Sequence, residues 1–467
     1  MRKAPYDARA QCEAALQCLI HWNHTMNIAF DPKYAGIDRE ATLRGIGARR
    51  SILESARRGE IWNDRGLGWF SVREAASARA LAVVRGEAAR VWQRASAMIV
   101  IGIGGSNRGA MASIHALRKT LKSPTHIVWA GDSLSGSSLR DVLDIVERES
   151  VVLNVIAKDF RTLEPGIAFR VLRQALLDKY GADYAERIIA TGSHGDGQLF
   201  ELAREHGWRF LEFPENIGGR FSVLSNVGLF PMAVAGIDIE ALVAGAEDAE
   251  RALRSMPLEM NPAVHYAVNR NLLFERGFCI ESLVFFEPDF LPLARWWTQL
   301  FAETEGKTQQ AIFPTYFCYS EDLHAVGQYV QEGRRCIAET YLRAFHPTPN
   351  LRIEPSPDVE DRFDYLDGKA FDDLNRAVYE AAIRAHYEGG VPCQEIALPE
   401  ISEFELGELF YFFMFSCYVS ACILGVNPFT QDGVESYKRV MQAMLREARP
   451  TPDRDGGAVG QLPKERL

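Results

Sequence analysis

From about residue 97 the chain alternates short apolar runs with longer amphipathic stretches. The apolar runs fall at 98–103, 126–130, 151–156, 187–190 and 209–213, with helical patterns between them, as at 108–121 and 167–180. Apolar runs of strand length separated by amphipathic helices predict an α/β fold, a mostly parallel sheet covered by helices on both faces. A second set of alternations begins near Phe278 and continues past Phe313, predicting a second α/β domain. The expected organisation is a helical arm over 1–95 that belongs to the large domain, a first α/β domain over 96–235 and a second over 236–448. The stretch 449–467, rich in Pro and Gly, reads as a loose tail.

One run needs separate treatment. LFYFFMFSCYVSACILGV at 409–426 carries no charge over 18 residues, the lower limit for a membrane span. It holds Ser416, Ser420 and two cysteines, no second such run occurs, and polar Asn-Pro and Gln-Asp follow it. A helix buried in an α/β core or a subunit interface is expected, and no membrane.

Composition narrows the class. With 47% hydrophobic and 24% charged residues, the 467-residue chain has the make-up of a soluble globular protein with large cores. A net charge of -10 argues against nucleic acid as a partner, because phosphate backbones need a basic surface. Eight scattered cysteines with no Cys-x-x-Cys pair point to a reducing compartment, with neither a disulfide framework nor a zinc site. The start of the chain has no apolar signal core, and a cytoplasmic location is expected.

Two glycine-containing loops carry candidate chemistry. In 214–228, Gly218 and Gly219 precede Arg220, and an apolar helical pattern follows. Glycines let backbone approach a ligand, and the guanidinium offers a permanent charge with a planar set of donors. Such an arginine suits an oxyanion; it can equally cap a neighbouring helix. The first strand ends in Gly102-Ile-Gly104-Gly105-Ser106 just before a helix, an anion site made of backbone N–H groups and a hydroxyl. A dinucleotide fingerprint is the rival, with Asp132 as the ribose acid, but it requires glycine where this chain has Asn107.

Further along, Glu303 stands in Phe-Ala-Glu-Thr-Glu-Gly-Lys ahead of an apolar strand signal. His324 stands in a 321–333 stretch that reads as a helix ending at Gly333. Lys438 follows Gln431 by seven residues, two helical turns. Each alone also fits a surface carboxylate, a capping histidine or a solvated lysine.

Together these blocks resemble the phosphoglucose isomerase family over roughly residues 60–445. The GIGGS loop, the IGGRFS block, the Glu303–Gly333 region and NPFTQDGVESYK occur in the family's order. The resemblance implies two sugar-isomerase (SIS-type) αβα domains and an aldose–ketose isomerase interconverting glucose 6-phosphate and fructose 6-phosphate through a cis-enediol. It implies Glu303 as the base, Arg220 as the donor to the enediolate, His324 and Lys438 as the ring-opening pair, and Gln431 as a substrate-orienting residue. Gly105, Ser106, Lys158, Thr162 and Gly219 match substrate-binding positions. No metal or redox cofactor is implied, and a homodimer is, with the histidine supplied across the subunit boundary.

The phosphate loop departs from the family's pattern. Where the family carries a run of hydroxyl residues, this chain reads Ala157-Lys158-Asp159-Phe160-Arg161-Thr162. Asp159 sets a carboxylate towards a dianion, and Phe160 in place of a glycine predicts a changed loop backbone. Arg108 and Arg161 are candidates to compensate, or else partners for Asp159. The bulky Tyr316 and Phe317 either narrow the cavity or fill core. Isomerisation of another anionic or modified sugar, and a non-catalytic sugar-phosphate-binding role, are the alternatives these departures leave open.

Overall fold

The computed structural model describes residues 26–63, 66–158, 160–195, 197–346 and 351–447. Two five-stranded sheets organise it. The first contains β2 (Ala97–Ile101), β3 (His126–Ala130), β4 (Val151–Ile156), β5 (Ile188–Gly192) and β6 (Arg209–Glu212) in the order β3-β2-β4-β5-β6. All its pairings are parallel. β2 and β4 are buried along their whole length, which is why both read as unbroken apolar runs.

The second sheet contains β1 (Ala29–Asp31), β7 (Ile280–Phe285), β8 (Phe313–Cys318), β9 (Ile337–His346) and β10 (Cys393–Glu400), in the order β1-β10-β9-β7-β8. Four of these strands are parallel, and β1 adds an antiparallel edge to β10. The segment expected as a helical arm also supplies a strand. At three residues β1 is too short to produce a periodic signal. Among the described residues, those up to Phe429 form one compact unit, and those from Thr430 onward form a second.

In the first sheet the connection from β2 runs to one side, to β3, while β4 lies on the other. The loops after β2 and β4 therefore flank the point where the strand order reverses, the customary ligand crevice of open α/β sheets.

The charge-free run becomes the helix Glu403–Leu424, in which every residue from Glu405 to Cys422 is buried. On length and composition it passes for a membrane span, yet 94% of its most apolar window is covered by the protein itself. A helix enclosed on all sides has no polar face to display, so its apolar residues show no helical period. It packs against the helix Ile239–Ser255 with backbones nearly touching: a Cβ on Gly407 would lie 1.8 Å from Leu242 O, and one on Gly245 1.9 Å from Phe404 O.

Candidate active site

Two short turns and one helix build the site. The turn Gly104–Ser106 leaves the end of β2, with Gly104 at φ 60°, the left-handed region open to glycine. Asn107, at the position where a dinucleotide fingerprint needs its third glycine, is buried and donates from Nδ2 to Gly102 O at 3.1 Å. Its amide thus closes the loop on itself.

The turn Gly219–Leu224 carries Arg220 and is held by Ser222 Oγ, which donates to Gly219 O at 2.7 Å. The two turns meet at their glycines. A Cβ on Gly105 would stand 2.1 Å from Gly219 O, so no larger residue fits there without moving backbone.

The helix Leu291–Glu305 brings Glu303 to these turns. Arg220 Nη1 donates to Glu303 Oε2 at 2.7 Å, and Gln299 Nε2 donates to Oε1 at 3.0 Å. Arg220 is 4% exposed and also donates from Nη2 to Pro428 O at 2.7 Å, whereas the Glu303 side chain is 32% exposed. A buried cation thus orients a carboxylate that still faces outward, as a base that must reach a substrate requires. Gln299 lies against the glycine loop as well, for a Cβ on Gly104 would be 2.9 Å from its Nε2.

Below the carboxylate the helix end is anchored. Arg270 donates to both oxygens of buried Glu305, at 2.6 and 3.1 Å, and from Nε to Glu281. Lys307 Nζ donates to Glu303 O at 2.7 Å and Thr304 O at 2.6 Å. Burial, and then the neighbouring Arg220, lower the Lys307 ammonium to about 8. Gln299 and Lys307 were missed in the sequence, although Gln299 stands one helical turn before Glu303. Among the described residues no group of three or more His, Cys, Asp or Glu side chains is arranged to hold a metal ion.

Residues 83–316 match the family described as phosphoglucose isomerase. A glucose-6-phosphate isomerase of Bacillus cytotoxicus is 42% identical over 388 residues, covering 81% of this chain and 86% of that protein. The chain belongs to the phosphoglucose isomerase family. Two crystal structures share its fold. A hypothetical protein of Thermus thermophilus superposes with a TM-score of 0.81 at 25% identity, covering 90% of this chain and 99% of that one. A glucose-6-phosphate isomerase of Chlamydia trachomatis gives 0.78 at 18%, covering 96% and 98%.

The phosphoglucose isomerase positions named from the sequence divide into groups. Gly105, Ser106, Gly219, Arg220 and Glu303 converge as described. Lys158 joins them from the loop after β4, donating to Glu215 O at 2.8 Å and Ile217 O at 3.1 Å, just before the paired glycines. Arg108 donates to Arg295 O at 2.8 Å, which ties its helix to the one bearing Glu303. Arg161 and Thr162 line a groove of about 480 Å³ with Arg170 and Arg173, between the helices Leu163–Tyr180 and Gln198–His206; Glu303 and Arg220 are not part of its wall.

Asp159 lies outside the described residues. Phe160 itself stands in the left-handed region at φ 50°, with its ring 5.6 Å from that of Phe169. Aromatic packing offsets part of the strain of a side chain in the left-handed region. Tyr316 and Phe317 are half-buried and pack against core clusters, Tyr316 near Phe285 and Phe317 stacked on Tyr319.

His324 is exposed, on the turn Glu321–His324 after β8, and no hydrogen bond between it and Glu303 or Arg220 is found among the described residues. The stretch expected as one helix is this turn followed by a separate helix, Gly327–Glu332, capped at Gly333. In the second unit Lys438 Nζ donates to Glu435 Oε1 at 2.8 Å. Gln431 precedes the turn Asp432–Val434, and the helix begins only at Glu435. The two residues are thus not two turns apart on one helix, because the tighter turn intervenes.

Proposed function

We propose that this chain interconverts glucose 6-phosphate and fructose 6-phosphate by proton transfer between adjacent carbons of the open-chain sugar. Glu303 removes the proton from C2 of the aldose and returns it to C1. The charge that develops on oxygen in the enediolate is held by Arg220, a preorganised donor that needs no reorientation. His324 and Lys438 open the ring, and Gln431 orients the sugar. In this reading the complete site is a homodimer's, with the histidine supplied by the partner subunit. Gly105, Ser106, Lys158 and Gly219 form the phosphate side, and the enzyme works in the cytoplasm without a cofactor.

The observation that carries this reading is the Glu303 carboxylate held between Arg220 and Gln299 beside the glycine contact, in a chain of this family. Conversion of fructose 6-phosphate, coupled to detection of glucose 6-phosphate, tests it with Glu303→Gln alongside. Activity in the parent and its loss in a folded variant by about 10²-fold or more are expected. A variant that keeps most of its activity would refute the base.

A second reading, isomerisation of a different anionic sugar, is favoured by the 157–162 loop. There Lys158 is engaged with two backbone carbonyls, and Arg161 stands with Arg170 and Arg173. An active-site fold that rejects fructose 6-phosphate but turns over another acidic sugar would select it.

A further inference from the structure

Glu303 is delivered only two residues before its helix ends, where backbone carbonyls lose their intrahelical donors. Gly306 N satisfies Ala302 O at 2.9 Å, and Lys307 N satisfies Glu305 O at 2.6 Å. The two carbonyls between them, of Glu303 itself and of Thr304, both accept from the Lys307 ammonium, at 2.7 and 2.6 Å. One cation therefore completes the last turn of the helix that aims the base. A cation at a helix C-terminus is also favoured by the helix dipole.

The surroundings make this an expensive place for a charge. Lys307 faces Arg220 from the Gly219–Leu224 turn, Cys417 from the Glu403–Leu424 helix, and Glu303 and Glu305 from the helix whose end it follows. Glu305 is already neutralised by Arg270, and Glu303 by Arg220. The ammonium is thus partly desolvated beside an arginine, and a purely structural plug would be better served by an uncharged side chain.

We propose that Lys307 is a positioning residue for the isomerisation step, its ammonium clamping the last helical turn so that the Glu303 carboxylate points at the substrate carbons. This rests on the reading of Glu303 as the base. The ammonium form is present below about pH 8 and is lost as pH rises through that value. The rate constant for turnover therefore falls on the alkaline side when Lys307 deprotonates.

The test compares the parent, Lys307→Arg, Lys307→Met and Glu303→Gln as purified full-length proteins, measuring kcat and KM from about pH 6 to about pH 10. The parent shows an alkaline limb in kcat. In Lys307→Arg, which stays charged throughout, kcat is retained and the limb moves out of the range. In Lys307→Met, kcat is about tenfold lower at neutral pH with KM within about twofold, and the limb near pH 8 is gone. An identical limb in the parent and Lys307→Arg overturns the proposal even if the methionine variant fails to fold. Full kcat in a folded Lys307→Met overturns it too. Activity in Glu303→Gln instead removes the base and, with it, both readings.

Discussion

Arg220 Nη1 lies 2.7 Å from Glu303 Oε2, joining residues 83 positions apart in the sequence. The guanidinium reaches this carboxylate with one arm and the Pro428 carbonyl with the other, at 2.7 Å. Its planar fork is fixed at both ends before any substrate arrives, and a fixed donor beside a carboxylate serves charge that develops during proton transfer.

Lysine cannot reproduce that fork, because an ammonium on a flexible stem lacks the planar spacing between two acceptors. Arg220→Lys is expected to lower kcat/KM by about 10²–10³-fold while the protein stays folded. Steady-state kinetics with circular dichroism checks this; near-normal turnover would show that charge alone suffices.

Gly105→Ala places a methyl group 2.1 Å from Gly219 O, 2.2 Å from Gly219 C and 2.9 Å from Arg220 N. All three are backbone atoms, so no side chain can swing aside. A loss of about 1–3 kcal/mol in unfolding free energy is expected, together with reduced kcat/KM as the Arg220 turn is displaced. Gly136→Ala is the control: it meets nothing within 4 Å and starts a helix. Urea titration of both variants should separate them.

Glu408 is fully buried, and both its oxygens accept from Asn27 N at 3.1 Å. Burial raises its carboxyl to about 7, against about 4.3 in an unfolded chain. Between those values the folded protein holds a proton that the unfolded chain has released. Its contribution is therefore fully present below the unfolded value and is lost as pH rises through about 7. Glu408→Gln should flatten the fall in stability between about pH 5 and about pH 8 by on the order of 1–3 kcal/mol. Denaturant midpoints at the two pH values measure the slope, and equal slopes in parent and variant would contradict it.

Much of the frame was legible from local pattern. β3 and β4 occupy the positions their apolar runs predict, 126–130 and 151–156, and the charge-free run is the enclosed helix expected. β4 and the enclosed helix follow from one cause: a buried strand or helix must be apolar wherever it is covered, and that is written in consecutive residues. Glu303 and Arg220 were identified through motif blocks, and the structure pairs them. Gln299 was passed over because an amide one turn from a carboxylate is ordinary on any helix. Lys307 was passed over because its use depends on where that helix stops.

The sequence by itself determined the α/β alternation, the buried central helix, the order of the motif blocks and the residue types able to do the chemistry. Tertiary structure decided what each polar group touches. Arg108 holds a carbonyl on the helix of Glu303, and Lys158 holds the carbonyls ahead of the paired glycines. Arg161 faces another groove. Hydrophobic patterning is a local record of burial, whereas a hydrogen bond is directional and short. Its partner is settled only when packing brings distant backbone within about 3 Å.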